Sequence, residues 1–89
     1  MRFTWHERKR QITRQQRGLD FADAEQIFAG PTFSFEDDRV DYGETLWVTL
    51  GVLRGKVLVI VHTESEDEMH IISMREADKD EQLLFFRNL

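Results

Sequence analysis

The chain has no cysteine among its 89 residues and a single proline, Pro31. Without cysteine there is no disulfide framework, no thiolate metal site and no thiol nucleophile. Long apolar runs are missing too. The longest, Val57–Val61, is far too short to span a bilayer, and the N-terminus has no apolar signal region. The expectation is a soluble cytoplasmic protein that is neither secreted by a standard signal nor integral to a membrane. Internal repeats, low-complexity tracts and dividing linkers are also absent, so residues 1–89 are read as one domain. The sequence offers no glycine-rich phosphate loop and no Ser-His-Asp spacing. Two acidic runs, Glu36-Asp37-Asp38 with Asp41 and Glu64–Glu68, lack the spacing and turn glycine of a calcium loop, so no metal or other cofactor is expected.

What is present is enough for a folded globule with many solvated positions: 40% hydrophobic, 11% aromatic and 33% charged residues. The formal net charge of −5 hides an asymmetry. Residues 1–18 carry Arg2, Arg8, Lys9, Arg10, Arg14 and Arg17 against Glu7 alone, whereas residues 19–89 carry the other six bases against sixteen acids. A basic arm on an acidic body points to a polyanion or an acidic partner at one end. The acidic body argues against tight nonspecific binding of duplex DNA, because phosphate repulsion offsets the arm.

Periodicity and punctuation predict the order β-α-α-β-β-β-β-α. Met1–Trp5 reads as a strand with Phe3 and Trp5 on one face. His6–Arg17 reads as a helix ended by Gly18, which takes the left-handed conformation without a Cβ penalty. Asp20 starts a second helix by accepting a backbone N–H near Asp23, and Phe21, Ala24, Ile27 and Phe28 form its inward stripe. Gly30-Pro31 ends it. Thr32–Glu36, Thr45–Val52, Lys56–Thr63 and Met69–Arg75 read as strands, separated by the loop Asp37–Gly43, the turn Leu53–Gly55 and the charged turn Ser65–Glu68. Lys56–Thr63 is apolar on both faces, which marks a central strand. Asp78 caps a last helix running to Arg87, with Glu81 completing a capping box. The fold class is α+β: two N-terminal helices, a C-terminal helix and, because the connections are short, a mainly antiparallel sheet of four to five strands.

Seven segments stand out by their order and spacing: Phe3-Thr4-Trp5 with Lys9, Arg17–Phe21 with Ala24 and Ile27-Phe28, Asp38-Arg39, Asp41–Glu44, Gly51, Val59–Glu64 and Ile71–Ala77. Together they resemble the BrnT-type ribonuclease toxins of bacterial type II toxin–antitoxin systems. The resemblance implies a RelE-like fold, metal-free cleavage of RNA, and inhibition by a ribbon-helix-helix antitoxin of BrnA type, with a homodimer or a toxin–antitoxin heterotetramer as the assembly. The chain departs from the family pattern at Gln16-Arg17, where Lys-His is usual, at Leu46, Ser65 and His70, where arginine is usual, and at Met74, where alanine is usual. Several basic positions of the expected RNA face are thus replaced. The alternative reading is a catalytically impaired BrnT-like protein that acts through a protein partner.

Metal-free cleavage sends the 2′-hydroxyl against the adjacent phosphate, which calls for a base, donors for the growing phosphate charge and an acid for the leaving 5′-oxygen. Arg75, in the matched Ser73-Met74-Arg75 segment, is the first candidate donor, since its planar fork fits two phosphate oxygens. Arg17 stands where the family has histidine and suits phosphate binding rather than proton transfer. Lys9, Arg14 and Ser73 join it as expected RNA contacts. Glu64 and Glu44 match the family pattern as candidate bases, and His62 titrates close to neutral pH. Strict alternation puts His62 with Glu64, Ser73 with Arg75, and His70 opposite Arg75. Which side His62 faces depends on strand register. The C-terminal helix is apolar over a wide arc, and Leu84, Phe85 and Leu89 are the expected partner contacts.

Overall fold

A computed structural model describes residues 1–37 and 43–89. The segments Asp38-Arg39 and Asp41-Tyr42 of the resemblance lie outside the described residues. The chain runs β1 (Arg2–Trp5), α1 (Glu7–Arg17), a 3₁₀ turn (Phe21–Asp23) leading into α2 (Ala24–Ala29), β2 (Thr32–Asp37), β3 (Leu46–Leu53), β4 (Lys56–Glu64), β5 (Glu68–Glu76) and α3 (Lys79–Arg87). This is the predicted order. Local chemistry sets the boundaries. Gly18 ends α1 at φ 68°, with its N–H on the Arg14 carbonyl. Asp20 accepts the Ala22 N–H at 2.9 Å and also holds Arg10 of α1 through two hydrogen bonds of 2.7 and 3.1 Å, fixing the corner between the helices. Asp78 and Glu81 form the complete capping box of α3.

The strands form one five-stranded sheet in the order β1-β5-β4-β3-β2. The expectation of a mainly antiparallel sheet needs correcting: the sheet is mixed, because β1 pairs parallel with β5, from Arg2 opposite Glu68 to Trp5 opposite Ile71. Short connections dictate antiparallel pairing only between strands that follow one another in the chain. The neighbour of β1 is the last strand of the chain, so no hairpin constrains its direction. The apolar strand β4 does lie at the centre.

The sheet carries helices on both faces. Phe21, Ala24 and Ile27 pack against Leu53, Leu58, Ile60, Met69, Ile71 and Met74 on one face. On the other, Phe85 of α3 packs with Val48, Leu50, Val57, Val59 and Ala77. The approach of α2 to β3 is close at Gly51, where a Cβ would lie 2.5 Å from Ile27 Cγ2. Among the described residues no helix is long and apolar enough to cross a membrane.

One irregularity decides the placement of side chains. Val61 pairs with Ser73 but His62 pairs with Ile71, so Ile72 is an extra residue in β5. Such a bulge shifts alternation by one. Ile71 and Met74 therefore both face α2, while Ser73 and Arg75 face the α3 side with Val59 and Val61. The expectation that His70 lies opposite Arg75 fails for the same reason. His70 pairs with Thr63 and Thr4, on the face that Arg75 also occupies, and its Nδ1 lies 2.9 Å from Thr4 Oγ1.

Candidate active site

The candidate residues fall into three places. The first is the outer edge of β5. Since β1 reaches only Ile71, the next stretch of that edge has no strand beside it among the described residues, and α1 packs there instead. Lys9, Ile12, Thr13, Gln16 and Arg17 of α1 line a cavity of about 220 Å³ with Ile72 and Ser73. Arg17 Nη1 donates to the Met74 carbonyl at 2.9 Å, satisfying a backbone acceptor that a strand would otherwise take. The predicted group of Lys9, Arg17 and Ser73 is thus brought together. Arg14 turns toward Asp20, with Nε 3.6 Å from Oδ2.

The second place is Arg75. Its Nη1 and Nη2 donate to Glu81 Oε1 and Oε2 at 2.8 and 2.7 Å, and Nη1 also reaches the Glu76 carbonyl at 3.2 Å. Glu81 Oε1 accepts the Asp78 N–H as well, so the first turn of α3 fixes the carboxylate and the carboxylate fixes the guanidinium. Hydrogen bonds from Arg75 hold the Glu81 carboxyl below the usual carboxylate range. The pair borders a cavity of about 320 Å³ whose floor is Val48, Val59 and Val61, with Phe35, Glu36 and Asp37 across it. An apolar floor beneath a charged rim can receive a flat, partly apolar group while binding its charged end. Ser73 connects this place to the first: it lines the α1 cavity and shares the sheet face of Arg75.

The third place is the end of the sheet where β4 turns into β5. Glu44 and Glu64 meet there in a cavity of about 470 Å³ with Thr45, Trp47, Thr63, Ser65 and Glu68. His62 lies beneath it, fully buried, with Nε2 2.7 Å from Thr49 Oγ1 and its ring edge-on to Phe28 at 5.2 Å. Thr49 in turn lies 2.7 Å from Ser34 Oγ. His62 Nδ1 is 3.6 Å from Glu64 Oε1. Burial pushes the imidazole down to about 4.

The four residues read as catalytic from the sequence therefore do not converge. Glu64 pairs with Met69 and Arg75 with Val59, so six residues of β5, roughly 20 Å of strand, separate them, and they sit on opposite faces. Sequence reasoning treated Glu81 only as a cap and missed its contact with Arg75. The signal was there, since a helix N3 carboxylate six residues after a strand-end arginine is within reach when the connection is as short as Glu76–Asp78. Among the described residues no three His, Asp or Glu side chains converge as metal ligands. On α3, Phe85 belongs to the core, Leu84 is half-buried, and Leu83 and Phe86 are exposed by 51 and 57%, as is Leu89 beyond the helix by 70%.

A sequence model described as the ribonuclease toxin, BrnT, of type II toxin–antitoxin systems matches residues 5–81. The chain belongs to that family of toxin–antitoxin ribonuclease toxins. No curated protein matches it as a relative.

Proposed function

We propose that the chain is an endoribonuclease toxin with a RelE-like fold that acts in the cytoplasm, cleaves RNA without a metal, and is neutralised by a ribbon-helix-helix antitoxin. The observation that carries this reading is the line from Lys9 and Arg17 through Ser73 to Arg75 across the outer edge of β5. In a chain whose body is acidic, Lys9 and Arg17 gather positive charge at this edge, where a polyanion can bind and extend toward Arg75. Lys9, Arg17 and Ser73 bind the RNA backbone, and Arg14 adds to the field of α1. Arg75 donates to the non-bridging oxygens of the scissile phosphate as charge grows there. The buried His62 cannot touch RNA and is assigned to the fold. The Glu44–Glu64 cavity is too distant to serve the same phosphate. Family membership supports an antitoxin partner, and the exposed apolar residues Leu83 and Phe86 of α3, with Leu89 beyond it, are the surface assigned to it.

Expression of the chain without its antitoxin should arrest growth, and the purified protein should cut RNA in the presence of EDTA. Loss of cutting on chelation would contradict the metal-free reading.

A further inference from the structure

Cleavage by the 2′-hydroxyl needs a proton acceptor beside the phosphate that Arg75 binds. Glu44 and Glu64 cannot supply it across the sheet. Among the described residues, a carboxylate that stands at Arg75 is Glu81, with Oε2 2.7 Å from Nη2, on the rim of the cavity floored by Val48, Val59 and Val61. From Glu81 Oε2 and Arg75, together on this rim, we infer that Glu81 is the general base of the proposed RNA cleavage and a catalytic residue. The inference rests on the ribonuclease reading and adds to it the group that removes the proton.

The arrangement suits the task in three ways. The carboxylate is fixed, because its other oxygen accepts the Asp78 N–H at the start of α3. It is ionised at neutral pH, because Arg75 lowers its proton affinity. It can be reached from solvent, since the side chain of Arg75 is 45% exposed and that of Glu81 20%, so a phosphate can approach the guanidinium from its open side. Glu81 takes the proton of the 2′-hydroxyl. The 2′-oxygen then bonds to phosphorus, and the bond from phosphorus to the 5′-oxygen breaks. The leaving 5′-oxygen takes a proton from water. The products are a 2′,3′-cyclic phosphate and a 5′-hydroxyl, with no net redox change. The charged groups around Glu81 are Arg75 and Glu76 on β5, Glu36 and Asp37 across the cavity on β2, and Asp78 and Asp80 on its own helix.

The test uses the full chain as wild type, Glu81→Gln, Glu81→Asp and Asp80→Asn, with an end-labelled RNA oligonucleotide in EDTA at pH 7.5. Glutamine at this position preserves the capping box. Glu81→Gln should keep the thermal midpoint and bind RNA at least as tightly as wild type, yet lose about 10²–10⁴ in cleavage rate. Glu81→Asp, which keeps a carboxylate, should cut well faster than Glu81→Gln. Asp80→Asn, which removes the same charge away from Arg75, should cleave like wild type. A Glu81→Gln protein that cuts within threefold of wild type overturns the assignment and leaves the ribonuclease reading standing. If Glu81→Gln lowers the midpoint, Glu81→Asp decides: a folded Glu81→Asp protein that cuts no faster than Glu81→Gln also overturns it. A wild type that cuts no RNA removes both readings.

Discussion

His62 and Arg75 stand on opposite faces of one sheet, and the cause is a single extra residue, Ile72, in β5. Without that bulge Arg75 would share the α2 face with His62, and the two would look like partners. With it, His62 is sealed under Phe28 and Arg75 reaches the surface beside Glu81.

The burial of His62 has a thermodynamic consequence. Its imidazole titrates near 4 in the folded chain, against 6.5 when exposed. Between those values the unfolded chain binds the extra proton, so stability rises with pH. The contribution is complete above about pH 6.5 and is lost as pH falls toward 4, to a total of roughly 3 kcal/mol at most. Denaturant titrations from pH 4 to 8 should show this slope, and His62→Gln should flatten it. An unchanged slope in the variant would assign the acid sensitivity to the carboxylates.

The contact of α2 with β3 is tested at Gly51. A methyl group there meets Ile27, a fully buried side chain, at 2.5 Å. Gly51→Ala should destabilise the fold by about 1–3 kcal/mol through overpacking. For a domain of this size that is a fall of roughly 4–8 °C in thermal midpoint per kcal/mol. Gly51→Ala combined with Ile27→Val, which removes a methyl group from the crowded side chain, should recover part of the loss. A midpoint equal to wild type for Gly51→Ala alone would mean that the helix shifts freely.

The last helix has two sides with separate consequences. Phe85→Ala should cost about 3–5 kcal/mol, as a core aromatic does. Deleting residues 82–89 should unfold the chain for the same reason, since Phe85 goes with it. Replacing Leu83 and Phe86 by aspartate, by contrast, should leave the thermal midpoint nearly unchanged and weaken antitoxin binding by tenfold or more, read by calorimetry or pull-down with the purified partner. Full affinity in that double variant would place the antitoxin elsewhere.

Much of the fold was legible because local signals agreed. Gly18, Asp20, Asp78 and Glu81 sit where capping chemistry requires them, and the apolar stripe of Phe21, Ala24 and Ile27 is the packed face of the second helix. The parallel pairing of β1 with β5 was not legible, because two strands separated by the rest of the chain leave no turn to read. The bulge at Ile72 was not legible either. Ile71-Ile72 is an apolar pair in which either residue fits the core, so alternation alone cannot say which is extra. That one position reassigns Ser73 and Arg75 to the other face. The residues taken together as one candidate site lie apart for that reason: Lys9, Arg17 and Ser73 line one cavity, and Glu44 and Glu64 another.

The measurement closest to the central claim is RNA cleavage by the purified full chain in EDTA, wild type beside Arg75→Ala. Removing one donor to a charge that grows in the transition state should cost about 10²–10³ in rate. The thermal midpoint of Arg75→Ala, measured alongside, separates this loss from unfolding, since the variant also gives up the pair with Glu81. The account predicts RNA fragments ending in 2′,3′-cyclic phosphate from wild type, and that loss of rate in a folded Arg75→Ala protein. Wild type that leaves RNA intact, or Arg75→Ala that cuts as fast as wild type, would contradict it.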